Sequence, residues 1–414
     1  MPSPIQPMQD TAQAHAAAPD FSKLSTRLRY LRDDMLRLRY FSRNVEKAKF
    51  AFSTINYKAM LRKYPARAIY LLPLLVLRKL LLALDSIMPE SYAHYEPLTL
   101  YLRAKFYTRF LLGKLDMPYF ELVLTTRCSL RCESCNNLMQ YFDSKTAYTC
   151  SLEGITRALQ ELIKHVDSIS WVRIIGGEPL LFKDIDKVVT LLDSMPKVKT
   201  FDIVTNGTII PKPALLDALS KSHKSWVSIS DYTKSPNLDI KLHIEKITQT
   251  LDAHHIRNSC LWQDENTAWF APGKIYKRNR TREDIVRNFR ACLMQCVSVM
   301  SHEDILKGAD SRANDSSAQN SSIGESKNLI GGGAAQSAGE MFLCPIASSL
   351  SRLKGLKEFS GDFVSLDSTC NRYKIMQFYA QDFFHACDYC HDMDKPREYI
   401  PIARQTKATL ALEP

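Results

Sequence analysis

In the stretch "TTRCSLRCESCNNLMQYF" (Thr125 to Phe142), Cys128, Cys132 and Cys135 fall within eight residues at the spacing C-x3-C-x2-C. Thiolates this close can surround one inorganic centre, yet zinc and cubane iron–sulfur sites usually take four protein ligands. The loop itself has no His and no adjacent fourth Cys; the nearest is Cys150. Three ligands leave one coordination position open, and for zinc an open position marks a catalytic rather than a structural centre. A structural zinc site is the plainer alternative, and it lacks its fourth ligand.

Polar groups recur at equivalent points farther along. "GGEP" (Gly176, Gly177, Glu178, Pro179) follows the β-branched run "SISWVRII", and "TNG" (Thr205, Asn206, Gly207) follows "VKTFDIV". "SWVSIS" carries Ser228 and Ser230 and is closed by Asp231. Between these runs lie helical stretches: "SLEGITRALQELIKHV" with Ser151 placed to cap it, "KDIDKVVTLLDSM", "KPALLDALSKS" and "LDIKLHIEKITQTLDAHHI". "YFELVLT" leads into the cysteine loop, and "RNSCLW" is expected as a fifth strand. Short strands alternating with longer helices predict an α/β protein with a parallel sheet of βαβ units. In such sheets ligands bind at the carboxyl ends of the strands, where every one of these polar motifs falls.

"CSLRCESC", with GGEP and TNG in strand order, resembles the signature of the radical S-adenosylmethionine (SAM) enzymes over roughly residues 119–262. The resemblance implies a partial (β/α)6 TIM-like barrel. It implies that Cys128, Cys132 and Cys135 are the catalytic residues, holding a 4Fe–4S cluster whose open iron is chelated by SAM. Reductive cleavage of SAM would then give a 5′-deoxyadenosyl radical that abstracts hydrogen from substrate. By the same resemblance Gly176, Gly177, Glu178, Pro179, Asn206, Ser228, Ser230 and Asp231 bind SAM, the glycines allowing close approach to its methionine amino group. One departure stands out: Ser134 occupies a position that is often aromatic in the family, so adenine packing is expected from Leu138, Met139 or Tyr141.

After the repeat come Cys292, Cys296, Cys344, Cys387 and Cys390. They resemble the SPASM and shorter Twitch auxiliary domains, which implies a second 4Fe–4S cluster. Its ligands would be either Cys292 or Cys296, then Cys344, then the Cys387/Cys390 pair. "VSVM" and "GEMFLCP" are expected as hairpin strands, with the Ser-, Asn-, Ala- and Gly-rich residues 302–338 as a flexible insert between them. Such an insert costs little, because loop closure grows only logarithmically with length. A zinc site from the same thiolates is the alternative. Cys150, Cys260 and Cys370 are expected as small buried hydrophobes.

Charge is unevenly distributed. Residues 21–117 hold 19 Lys and Arg against 7 Asp and Glu, a balance of +12, while the whole 414-residue chain carries +11. This suggests an acidic partner or the anionic inner face of a membrane, the alternative being a solvated helical surface. Within it, "FSKLSTRLRYLRDDMLRLRYF" spaces Leu24, Leu28, Leu31, Met35, Leu38 and Phe41 by three and four, as in an amphipathic helix. "AIYLLPLLVLRKLLLAL" is the most apolar stretch, and its charge-free part, 68–77, is too short to span a bilayer. It is expected as a buried helix, with an interfacial one as the alternative.

The expected organisation is a disordered leader (1–20), a basic helical domain (21–117), a radical SAM core (118–285), a small α+β auxiliary-cluster domain (286–400) and a tail (401–414). The leader has no basic start and no apolar core, so it is not read as a secretory signal. Eleven cysteines, clustered and odd in number, fit metal binding in a reducing cytoplasm rather than a disulfide framework. The expected reaction oxidises a small polyol, amino sugar or sugar nucleotide. An external one-electron reductant such as flavodoxin or ferredoxin would start it, and the auxiliary cluster would accept the substrate's electron. A peptide- or protein-modifying radical enzyme is one alternative. A zinc-stabilised nucleic-acid-binding protein is another; it accounts for the charge but not for GGEP, so nucleic acid is not the expected partner.

Overall fold

The computed structural model describes residues 19–37, 40–56, 58, 61–62, 65–87, 96–261, 268–270, 273–292, 297–301, 337–393, 395 and 399–412. Nearly all of the expected leader and of the 302–338 insert, together with Cys296, lies outside the described residues.

Among the described residues the chain opens with helices α1 (Leu24–Arg37), α2 (Tyr40–Thr54), α3 (Ala68–Ser86) and α4 (Pro97–Leu111). The apolar runs that follow form parallel strands β1 (Asp116–Val123), β2 (Ser168–Ile175), β3 (Val198–Thr205), β4 (Ser225–Ser230) and β5 (Asn258–Leu261). Helices α5 (Leu152–His165), α6 (Ile185–Ser194), α7 (Pro213–Lys221) and α8 (Ile244–Ala253) alternate with them. Ser151 starts α5 as the sequence implies, its hydroxyl accepting from the Gly154 N–H at 2.9 Å.

The sheet does not stop at β1. After a short strand β6 (Ala268–Phe270) and helix α9 (Arg282–Ala291), β7 (Val297–Ser301) enters the same sheet parallel to β1. β8 (Gly339–Phe342) then pairs antiparallel with β7, and β9 (Phe363–Ser365) with β8. The result is one eight-stranded, mostly parallel sheet in the order β5-β4-β3-β2-β1-β7-β8-β9. Helices α10 (Pro345–Lys354) and α11 (Arg372–Tyr379) follow, and β10 (Tyr399–Pro401) returns to pair with β6. The chain is thus a mixed α/β protein in which the hairpin of the C-terminal part extends the main sheet.

Strand alternation gives the sheet two different faces. Phe120, Leu122, Val172, Ile174, Phe201, Ile203, Val227 and Ile229 pack on one side with buried residues of α5 to α8. The other face carries Tyr119, Trp171 and Trp226, on which α2 sits through Ala51, with the Phe50 ring 4.7 Å from Trp171. One layer nearer the strand carboxyl ends it carries a polar network. Asp202, fully buried, accepts from Trp171 Nε1 at 2.7 Å, Arg173 Nη2 at 2.8 Å and Ser228 Oγ at 2.9 Å.

Two expectations in the helical module are corrected. Leu24 and Leu28 face solvent, whereas Leu31 is buried as its spacing implies, together with Arg27 and Tyr30; the side chains of Met35, Leu38 and Phe41 lie outside the described residues. Arg27 is tolerated there because its guanidinium donates to the carbonyls of Phe21 (2.6 Å), Ser22 (2.7 Å) and Leu111 (3.0 Å), the last an acceptor that the end of α4 leaves without a helical donor. Helix α3 is only half buried: Leu81, with Leu77 and Leu82 beside it, packs on Val45, Phe52, Leu98 and Leu102. Its opposite face is bare.

Asp202→Ala should destabilise the protein by about 3–5 kcal/mol, because it strands the Arg173 guanidinium on a largely buried face. Urea denaturation checks this: the midpoint should fall with an unchanged slope, and an unchanged midpoint would contradict it.

Candidate functional site

The site begins with two loops pressed together. The first three residues after β1 open the cysteine loop, and the GGEP turn follows β2. The Gly177 N–H donates to the Thr125 carbonyl at 2.7 Å, and the Glu178 N–H donates to that of Arg127 at 2.9 Å. A Cβ on Gly176 would stand 2.3 Å from the Thr125 oxygen, and one on Gly177 would stand 2.1 Å from the Arg127 oxygen. Both positions therefore exclude any side chain. The glycines are required here by the neighbouring backbone, a reason separate from the cofactor approach that the sequence suggests.

Glu178 ties in the third strand end. It is fully buried, and its carboxyl accepts from Leu180 N–H at 3.0 Å and Asn206 N–H at 2.8 Å. Pro179 opens the short turn that Glu178 caps. The Asn206 amide then reaches across to Cys128, its Nδ2 lying 3.6 Å from Sγ and 3.0 Å from Ser129 Oγ. β1, β2 and β3 thus converge on the first cysteine.

Cys132 is buried with Leu130, Ile402 and Ala403, and Cys128, Cys135, Tyr232 and Leu238, partly buried, pack against them. Burial pushes all three thiols up, Cys132 to about 12 even though Gln405 opposes the shift. Three thiolates in such a place need a positive centre among them, and metal ligands of this kind bind deprotonated. Among the described residues, no three His, Cys, Asp or Glu side chains converge tightly enough for a single metal ion. A zinc ion at about 2.3 Å would hold its sulfurs under roughly 4 Å apart. Three thiols are also the kind of donor set that an iron–sulfur cluster takes.

The sequence did not point to the strap over this loop. Residues 402–410 run across it: Glu133 N–H donates to the Arg404 carbonyl at 2.7 Å, and Thr406 N–H to that of Arg131 at 2.9 Å. Gln405 sits at the centre. Its Oε1 accepts from Arg131 N–H at 2.7 Å, which turns its Nε2 toward Cys132 Sγ, 3.3 Å away. No local pattern announces a contact between residues 273 positions apart.

The remaining expected residues divide. Ser230 and Asp231 are buried at the end of β4, beside Tyr232, which touches the cysteine cluster. Ser228 is a correction: its hydroxyl donates to Asp202 and accepts from Trp226 Nε1 at 3.1 Å, one layer below, so it belongs to the buried network. Of the candidates for adenine packing, Leu138 and Tyr141 are absorbed into a core with Val123 and Ile175. Met139 lines an open cleft with Cys128, Ser129, Gln405 and Thr406. Cys150 and Cys370 are buried, whereas Cys260 is partly exposed.

A second cysteine set rings a separate apolar cavity formed by Cys292, Cys344, Cys387, Cys390, Phe289 and Phe384, among others. Cys292 ends α9, Cys344 caps α10 at the end of β8, and Cys387 lies in the turn 385–388. Burial raises the Cys344 and Cys387 thiols well above their ordinary value and Cys390 to about 12. The turn is held from outside. Buried Asp362 accepts from the His385 N–H (2.6 Å) and Ala386 N–H (2.7 Å), and Arg280 Nη2 donates to the Cys390 carbonyl at 3.0 Å.

Burial lifts the Glu178 carboxyl from 4.5 to about 7, against the hydrogen bonds that favour its ionised form. A raised pKa adds stability that is complete below the unfolded value and is lost as pH rises through the folded one. The protein without bound cofactor should therefore lose up to about 3 kcal/mol between those two values. Glu178→Gln should flatten that slope in urea melts at the two ends of the window; parallel slopes would refute the assignment.

The radical SAM superfamily matches residues 122–248. GTP 3′,8-cyclase of Clostridium acetobutylicum is 31% identical over 139 residues, 33% of this chain and 42% of that protein. Molybdenum cofactor biosynthesis protein 1 of Homo sapiens is 30% identical over 118 residues, 28% of this chain and 18% of that one. The chain thus spans less than half the length of these curated relatives. Among solved structures, Streptococcus suis SuiB bound to precursor peptide SuiA is 19% identical over 40% of this chain and 37% of that one, with a TM-score of 0.30. Native anSMEcpe with bound AdoMet is 16% identical over 34% and 42%, with a TM-score of 0.27. The segment that matches the radical SAM superfamily is the one that holds the cysteine trio, the GGEP turn and Asn206.

Proposed function

We propose that this chain is a radical SAM enzyme that oxidises a small molecule, a polyol, amino sugar or sugar nucleotide. The observation that carries the reading is the trio of thiols gathered at the carboxyl ends of parallel strands, Cys132 buried and Cys128 and Cys135 partly so, ringed by polar groups from three neighbouring strand ends. Cys128, Cys132 and Cys135 hold a 4Fe–4S cluster; Gly176 to Pro179, Asn206, Ser230 and Asp231 hold SAM. Bound there, the cluster and SAM supply a one-electron cleavage that yields a 5′-deoxyadenosyl radical able to take a hydrogen atom from substrate.

The chain's own residues do the positioning. Glu178 and Asn206 orient the loop that carries Cys128, and the strap excludes water from Cys132. Cys292, Cys344, Cys387 and Cys390 would hold a second 4Fe–4S cluster, which would supply one-electron acceptance suited to a net oxidation. An external reductant such as flavodoxin or ferredoxin starts the reaction. Relatives named GTP 3′,8-cyclase favour a small-molecule substrate over a peptide. A reducing cytoplasm suits thiols that ligate iron–sulfur clusters. The basic module 21–117 provides contact with an acidic partner or the inner membrane face.

Anaerobic reconstitution should give a brown protein with about eight irons, as for two cubane clusters. Cys132→Ala should remove about half of that iron and abolish 5′-deoxyadenosine formation; a colourless protein with stoichiometric zinc would overturn the reading. Gln405→Ala should retain iron yet lower the reduction potential of the first cluster by roughly 40 mV, the one-electron equivalent of a hydrogen bond of about 1 kcal/mol. An unchanged potential in a redox titration followed by EPR would show that the Gln405 contact is only structural.

A further inference from the structure

Helix α3 is packed on one side and bare on the other. Ile69 is 87% exposed, Leu72 52%, Val76 67%, Leu80 54%, Leu84 37%, and Ile87, one residue past the helix end, 76%. At about 100° per residue, all six point within roughly 60° of one direction. From Ile69 to Ile87 they form a stripe roughly 27 Å long at 1.5 Å per residue. The helix is anchored by its other side: Leu81 lies in the module core, and the Arg78 guanidinium donates to the Ile55 carbonyl at 2.6 Å and to that of Ser53. The bare face is therefore fixed outward. Soluble proteins seldom expose so continuous an apolar surface without something to cover it.

The charge around the stripe decides what covers it. The module of residues 21–117 carries a balance of +12, all of the net positive charge of the chain. Lys79, exposed on α3, flanks the stripe, and Lys58 and Arg62 are exposed just before the helix. A second copy of the chain would bring one strongly positive module against another, a repulsive pairing. An anionic surface with an apolar interior matches both features. No helix among the described residues is long and apolar enough to cross a membrane, so α3 would lie in the surface.

We propose that α3 docks the protein on anionic bilayers. Ile69, Leu72, Val76, Leu80, Leu84 and Ile87 enter the boundary between headgroups and acyl chains, and the Lys and Arg side chains of the module meet the lipid charge. Phe50 and Ala51 of α2 fix the module to the sheet, so docking holds the whole enzyme at the membrane. The inference concerns a face outside the cysteine site, and its test reads out without cofactor, so it can fail while the radical chemistry stands.

Co-sedimentation of the full chain with vesicles tests it. The protein should pellet with equal parts phosphatidylglycerol and phosphatidylcholine, and not with phosphatidylcholine alone. The double variant Val76→Asp, Leu80→Asp should weaken that partition at least about tenfold, since each side chain loses its apolar burial. Both residues are exposed, so circular dichroism and thermal melts should match the parent. Equal pelleting of variant and parent would overturn the proposal, as would failure of the parent to bind anionic vesicles. A dimer in solution that the same substitutions abolish, without vesicle binding, would assign the face to a second copy instead.

Discussion

The contact on which the site depends is the backbone clamp between the GGEP turn and the start of the cysteine loop. Two N–H groups of one loop meet two carbonyls of the other, at a distance that leaves no room for a Cβ at Gly176 or Gly177. From that clamp the order spreads: Glu178 reaches Asn206, Asn206 reaches Cys128, and the C-terminal strap closes over Cys132 through Gln405. Glu178 and Asn206 are buried, so their polar groups must find partners within the protein. That requirement makes the loop one arrangement rather than many.

The same sheet joins this site to the second cysteine cavity. β7 pairs with β1 and β8 with β7, and β8 delivers Cys344 to the start of α10. Between the two regions, Val123, Ile175, Leu138 and Tyr148 share a core with Phe342, Ile346, Ala386 and Tyr389. A close-packed layer of this kind transmits position well. The helical module is equally committed to the sheet: α2 seals its aromatic layer, and α3 is carried on the outside.

Much of this was legible in the chain itself. The trio and its open position, the polar turns at strand ends, the alternation of strand and helix and the Ser151 cap all follow from patterns within a few residues. Such patterns reflect local rules: the period of two or of 3.6, the orphan donors at a helix start, and the small set of residues suited to turns. The resemblance carried by CSLRCESC and GGEP is of the same kind, because its motifs are short.

Tertiary structure decided what depends on a distant partner. Cys292 reaches the second cavity because α9 ends beside the turn that carries Cys387. Ser228 faces the Asp202 network because the β3–β4 register aligns it with Val204, which shares a sheet face with Asp202 two residues before it. Arg27 is inside and Leu24 outside because the carbonyls of Leu111, at the end of α4, and of Phe21 and Ser22 call for a donor. The apolar run of α3 reads the same whether buried or bare; only the presence of neighbours on one side and none on the other separates the two. Sequence sets propensity over a few residues, whereas burial and long-range hydrogen bonds are properties of the assembled chain.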